Sequence, residues 1–193
     1  MTLAAGRNPM ELETSPLPGV FSFVPDLIED ERGFFYESYS PRLLEALGRC
    51  PSFVQENVSR SRRDVVRGLH YQLEPAAQGK LIRAVIGEVF DVCVDLRKGS
   101  PAFGRWHATT LSEENRRRLW VPPGLAHGFC VVSDVAEIVY SVTAPYVPAL
   151  ERTVLWSDPA LAIPWPVSSE RAVLSGKDAA ALPLAEAETN FVA

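Results

Sequence analysis

From Leu81 onward the chain breaks into short apolar runs with turn residues between them. Leu81 to Ile86 is apolar apart from Arg83, Gly87-Glu88 is a turn, and Val89 to Leu96 follows. In that second run Phe90, Val92, Val94 and Leu96 share one face and Asp91, Cys93 and Asp95 the other, the period of two that marks a strand. Trp106–Leu111, Arg118–Val121, Gly128–Ser133, Ala136–Val142 and Thr153–Trp156 are further strand candidates, separated by Gly, Pro, Ser or Asp. Upstream, the polar turn Asp30–Gly33 leads into Phe34–Tyr39, whose aromatic density also predicts a strand. Helix signals are sparse. Ser40-Pro41 offers an N-cap and a first-turn proline, Leu43, Leu44 and Leu47 one apolar face, and Gly48 a stop. Ser112 to Asn115 has the residues to cap a single helical turn. Residues 1–15 lack periodicity and are expected to fray, and the proline-rich stretch Asp158–Pro166 is expected to run extended over the surface. Many short strands with little helix predict one mainly β domain, a barrel or a sandwich.

Composition narrows the function classes. A chain of 193 residues with 47% hydrophobic content can fill one core, and its net charge of −5 argues against general nucleic-acid binding. No apolar run is long enough to span a bilayer, and the N-terminus lacks a basic start followed by an apolar stretch, so a cytoplasmic protein is expected. Cys50, Cys93 and Cys130 are far apart and have no metal-ligand spacing; Cys93 and Cys130 fall in apolar runs, as buried thiols do.

With only three histidines, each can be weighed. His107, in Arg-Trp-His-Ala, has no acidic neighbour in sequence and reads as a strand-surface residue. His127 follows a Pro-Pro-Gly turn, which suits either a metal ligand of a small β-barrel or a histidine bonded to backbone. His70 is the richest, with Arg67 before it and Gln72 and Lys80 after it. Metal-binding barrels of this type supply a His-x-His pair; here His70-Tyr71-Gln72 lacks the second histidine, so a metal-free site is expected. Histidine, lysine and arginine together suit proton abstraction beside a carbonyl, with a neutral histidine as base and Lys80 beside the resulting enolate. Tyr140 shares a face with Ala136, Ile138 and Val142, which fits a second acid or a core tyrosine.

Several segments, in order, resemble the dTDP-4-dehydrorhamnose 3,5-epimerase family. They are Arg67–Gln72 (RGLHYQ), Gln78–Lys80, Phe90–Arg97, Ser100–Gly104, Pro123–Phe129, Thr143–Tyr146, Trp156–Pro159 and Leu174–Asp178. The resemblance spans residues 19–183 and implies a cupin-type double-stranded β-helix, a jelly-roll barrel with a few short helices. It implies no metal, no organic cofactor and a homodimer. The family inverts C3 and C5 of dTDP-4-keto-6-deoxyglucose to give dTDP-4-keto-rhamnose; some relatives invert one carbon only.

The resemblance also assigns roles. His70 resembles the base, Asp178 the carboxylate that orients it, Lys80 the enolate stabiliser, Asp91 the residue that holds this lysine, and Tyr140 the acid on the far face. His127 resembles a residue lining the sugar pocket, and Arg32 and Arg67 resemble pyrophosphate ligands, a task that suits guanidinium geometry. Glu37, Gln55 and Asn57 resemble residues near the nucleoside, and Phe35 and Tyr146 aromatics that pack on thymine or sugar. Lys177 stands where several relatives carry arginine. In this family the region matching Arg32 to Glu37 reaches the site of the neighbouring subunit. A non-catalytic sugar-nucleotide module would be expected to have lost His70 or Tyr140, and both are present.

Overall fold

Two antiparallel sheets face each other in the computed structural model, which describes residues 12–40 and 52–193. The helix expected from Ser40 to Gly48 falls almost wholly outside the described residues, as does Cys50. One sheet has six strands in the order β1-β2-β10-β7-β12-β5: Leu12–Thr14, Phe21–Phe23, Arg118–Val121, Lys80–Ile86, Val135–Val142 and Gln55–Arg62. The other has five, β13-β6-β11-β8-β9: Glu151–Thr153, Val66–Gln72, Leu125–Val131, Glu88–Asp95 and Trp106–Ser112. From β5 to β13 successive strands alternate between the sheets except at the β8–β9 hairpin, giving the cupin-type jelly roll. A separate hairpin pairs β3 (Leu27–Asp30) with β4 (Gly33–Tyr36).

Two apolar layers hold this frame. Ile82, Leu119, Val121 and Ile138 of the six-stranded sheet meet Val89, Cys93, Leu111, Leu125 and Phe129 inside the barrel. On the outer face of the five-stranded sheet, Leu69, Val92, Val94, Leu96 and Ala126 pack under Val154, Leu161 and Phe191 of the C-terminal segment. Both faces of β8 are therefore covered, and β11 is buried at every position. This is why the sequence places the start of β11 too late: a strand buried on both faces loses its alternation.

Other expectations need correction. Leu12–Thr14, expected to fray, pairs with Phe21–Phe23. Ser112 to Asn115 forms a turn rather than helix, closed by Ser112 N–H to Asn115 Oδ1 and Asn115 N–H to Ser112 Oγ, both 3.0 Å. These side chains satisfy the local backbone groups that would otherwise start a helical turn. β13 covers Glu151–Thr153, and beyond it Val154 bridges to Leu182. Asp158–Pro166 is not an extended surface tail. Turns at residues 156–161 drive Leu161 into the outer core, and the Asp158 carboxylate accepts from the N–H groups of Ala160 and Leu184.

One close crossing sets the floor of the site. Gly68 has φ +118°, and a Cβ there would lie 2.6 Å from Gly128 Cα. The β6–β11 register shifts at this point, between His127 and Phe129, and just beyond it His70 lies directly opposite His127.

Candidate active site

β6 sets His70 in the five-stranded sheet between His127 of β11 and Thr153 of β13. The one-turn helix α1 (Gly176–Ala179) in the C-terminal segment brings Asp178 to it, with His70 Nε2 2.5 Å from Asp178 Oδ1. Ser175 is the N-cap: its Oγ accepts the Asp178 N–H at 3.1 Å and donates to Asp178 Oδ2 at 2.8 Å. Both carboxylate oxygens are thus engaged on a side chain only 3% exposed. Burial holds the His70 imidazole below its usual pKa, opposed by the hydrogen bond and charge of Asp178. Asp178 is itself held low: burial raises it, but the bonds and charges from His70, Ser175 and Lys177 outweigh that. A carboxylate on Nε2 favours the tautomer protonated there, which leaves Nδ1 as the basic nitrogen.

Lys80 opens β7 with its ammonium buried, donating to the His70 carbonyl at 3.3 Å. Burial lowers its pKa to about 8, against the charges of Asp91 and Glu151, which raise it. The expectation that Asp91 holds Lys80 is only partly met. Both Asp91 oxygens lie 2.9 Å from His127 Nε2, so the carboxylate is bonded to His127 and acts on Lys80 through its field. His127 is therefore a buried partner of Asp91 beneath the cavity rather than part of its wall. Tyr140 comes from the other sheet, opposite Asn57 of β5 and Ile82 of β7. Burial raises its phenol pKa, opposed by Arg67 and reinforced by Glu151, so it is a protonated acid at neutral pH.

His70, Lys80 and Tyr140 border one cavity of about 280 Å³ between the two sheets. Gln55, Asn57 and Tyr146 line it with them. Arg67 stays outside the lining, exposed, with Nε on Ser61 Oγ at 3.0 Å. Lys177 stands at the rim, its Nζ 2.7 Å from Glu151 Oε1. Arg32, Phe35 and Glu37 are not brought to this cavity. They belong to the β3–β4 hairpin and its exit, where Arg32 is 84% exposed and forks onto Asp30. The hairpin leans instead on β10 and the loop before it, with Arg116 over the Phe34 ring and Arg118 over Tyr36. His107 lines a separate cleft of about 290 Å³ with Glu13 and Arg117.

Two contributors, Glu151 and Ser175, escape the sequence reading, and a third, Gln72, enters it only as a neighbour of His70. Glu151 lines the cavity and accepts from both Lys177 Nζ and Tyr146 Oη; its carboxyl pKa is raised by burial but lowered further by these two donors, giving a net depression. Nothing local marks it. Gln72, two residues beyond His70, binds the loop that carries Tyr146. Ser175 did carry a signal, the Ser-x-x-Asp spacing of a capping box. Among the described residues no group of three His, Cys, Asp or Glu converges to hold a metal ion. What the arrangement offers is a neutral base with a fixed tautomer, a buried cation and a phenol facing the base from the opposite sheet.

Similarity to known proteins agrees with this geometry. The chain is 54% identical over 170 residues to the dTDP-4-dehydrorhamnose 3,5-epimerase of Shigella flexneri, covering 88% of this chain and 93% of that protein. It is 43% identical over 179 residues to the dTDP-4-dehydrorhamnose 3-epimerase of Streptomyces niveus, with 92% and 86% covered. The crystal structure of a dTDP-6-deoxy-D-glucose-3,5-epimerase from Legionella pneumophila, in complex with dTDP-4-keto-L-rhamnose, superposes with a TM-score of 0.88 at 46% identity, covering 92% and 94%. The family model for dTDP-4-dehydrorhamnose 3,5-epimerase matches residues 14–186, and the chain belongs to that family.

Proposed function

We propose that this protein epimerises dTDP-4-keto-6-deoxyglucose at C3 and C5 to dTDP-4-keto-rhamnose, in dTDP-rhamnose biosynthesis, through enolate intermediates. The 4-keto group acidifies the hydrogens on both neighbouring carbons. His70 removes one, and the negative charge that moves onto the carbonyl oxygen is met by the Lys80 ammonium. Tyr140 then delivers a proton from the opposite side. The observation that supports the reading is the placement of His70 and Tyr140 on facing sheets across one cavity, with Lys80 buried beside His70. Inversion needs removal and return on opposite faces of the sugar, and two walls supply them.

The remaining assignments rest on the family resemblance. Arg67 and Arg32 bind the pyrophosphate, Gln55, Asn57 and Glu37 the nucleoside, and Phe35 and Tyr146 stack on thymine or sugar. Lys177 stands at the edge of the sugar site, and His127 acts from beneath it by holding Asp91, whose charge acts on Lys80. Because Arg32, Phe35 and Glu37 lie away from their own cavity, a second copy supplies them in a homodimer. The exposed Ile28, Phe34 and Phe35 of the hairpin suit a surface buried by that partner. The enzyme works in the cytoplasm on a free sugar nucleotide, with no nucleic-acid or membrane partner.

The test is incubation with dTDP-4-keto-6-deoxyglucose, and with its UDP counterpart, in deuterated water. Deuterium at both C3 and C5 is expected for the dTDP form, and its absence from both carbons sinks the epimerase reading. Similarity to the Streptomyces niveus 3-epimerase keeps a single-position epimerase as the second reading, and deuterium confined to one carbon selects it.

A further inference from the structure

Residues 143–147 join β12 to the short 3-10 helix Pro148–Leu150 without helix or strand of their own. Such a segment has no ladder to satisfy its backbone, and each polar group needs another partner. Here three glutamines provide them. Gln78 Nε2 donates to the Ala144 carbonyl at 2.9 Å, and Gln72 Nε2 to the Pro145 carbonyl at 3.1 Å. Tyr146 N–H donates to Gln55 Oε1 at 3.0 Å, and Val147 N–H to Gln72 Oε1 at 2.7 Å. Residues 144–147 are thereby each held by a side-chain amide, with the Val147 carbonyl also accepting the Leu150 N–H at 3.0 Å. The clamp is braced in turn, since Gln72 Nε2 also donates to the Ala76 carbonyl at 2.8 Å and Gln55 Nε2 to Asn57 Oδ1 at 2.7 Å.

The origin of each glutamine gives the clamp its function. Gln72 lies two residues beyond His70 on β6, Gln78 two residues before Lys80, and Gln55 two before Asn57 on β5. Within the clamped segment is Tyr146, one of the residues that line the cavity. Its hydroxyl reaches Glu151 Oε2 at 2.9 Å, but its side of the loop is half-exposed and has no core packing to hold it. We propose that Gln72 and Gln78 are positioning residues that tie the Tyr146 loop to the strands bearing His70 and Lys80, so that the aromatic wall and the proton-transfer groups hold one fixed spacing around the sugar. A glutamine fits this task because one amide both donates and accepts, and so grips a carbonyl and an N–H of the same loop. Preorganisation of this kind saves the ordering cost that a free loop incurs on binding.

The inference rests on the epimerase reading through the role given to Tyr146, and a double-mutant cycle tests it. Gln78→Leu removes one half-buried bond, and Gln72→Leu removes three from a buried site; each is paired with Tyr146→Ala. An aromatic wall binds ground and transition states alike, so loosening it raises KM more than it lowers kcat. Gln78→Leu is expected to raise KM about fivefold, the equivalent of one net hydrogen bond, with kcat changed less than about twofold. In the Tyr146→Ala background the same replacement is expected to change KM by less than about twofold. Equal effects in both backgrounds, no effect of Gln78→Leu on KM, or no effect of Tyr146→Ala itself would each overturn the proposal. If Gln72→Leu fails to fold, the Gln78 arm decides alone. Should wild-type protein exchange deuterium at neither carbon, the cycle is read on dTDP-glucose affinity by calorimetry, where the same non-additivity supports the clamp. Absence of dTDP-glucose binding overturns it together with the epimerase reading.

Discussion

Replacing Asp178 by Asn probes the link between fold and chemistry with almost no change in volume. Asp178 is buried and 2.5 Å from His70 Nε2, so the lost term is the attraction between its carboxylate and the imidazolium that forms as His70 takes a proton. At an effective dielectric of about 20 a charge pair some 4 Å apart interacts by about 4 kcal/mol. At about 1.4 kcal/mol per factor of ten, that is close to a thousandfold in kcat. The tautomer adds to the loss, because an asparagine can turn its NH₂ toward Nε2 and place the ring proton on Nδ1. The pH profile gives a second, signed readout. His70 is already held below its usual pKa by burial, and Asp178 is the group that raises it. Without that charge the pKa falls further, so the acid limb of kcat/KM moves to lower pH while the plateau drops. Deuterium wash-in at C3 and C5, followed by mass spectrometry across pH, measures both. A variant within about tenfold of wild type, or an acid limb displaced upward, refutes the assignment of Asp178 as the partner that charges His70.

Three further outcomes are expected. Lys80 acts as a cation with a pKa lowered to about 8, so kcat/KM is expected to fall as pH rises through about 8; a flat profile up to pH 10 would remove Lys80 from that role. Tyr140→Phe leaves the base in place and removes the opposing acid, so deuterium should still enter the substrate while epimerised product drops about a hundredfold or more. Equal loss of exchange and inversion would contradict a returning acid. Gly68→Ala puts a Cβ 2.6 Å from Gly128 Cα at a φ of +118°, so it is expected to lower Tm by several degrees and to disturb His70, with kcat reduced in the fraction that stays folded. An unchanged Tm would show that the β6–β11 crossing relaxes without cost.

The sequence by itself determined a good deal. Alternation in Val89–Leu96 and Ala136–Val142, with turn residues between runs, was enough for a mainly β fold, and RGLHYQ with the other ordered segments was enough for the family. These signals are local, carried by neighbours along one strand or one short loop. What failed in the sequence was decided by contacts between distant segments. β11 hid its start because the barrel core covers one face and the C-terminal segment the other, and Asp158–Pro166 left the surface because Leu161 found an apolar layer to fill. Asp178 stands 108 residues from His70, Asp91 chose His127 over Lys80, and Glu151 gained its place from the donors that converge on it. Periodicity records which face a residue buries, since every strand repeats that choice along its length. It does not record which buried polar group meets which, because that depends on how two sheets and a C-terminal segment close on one another, and only the folded chain brings them together.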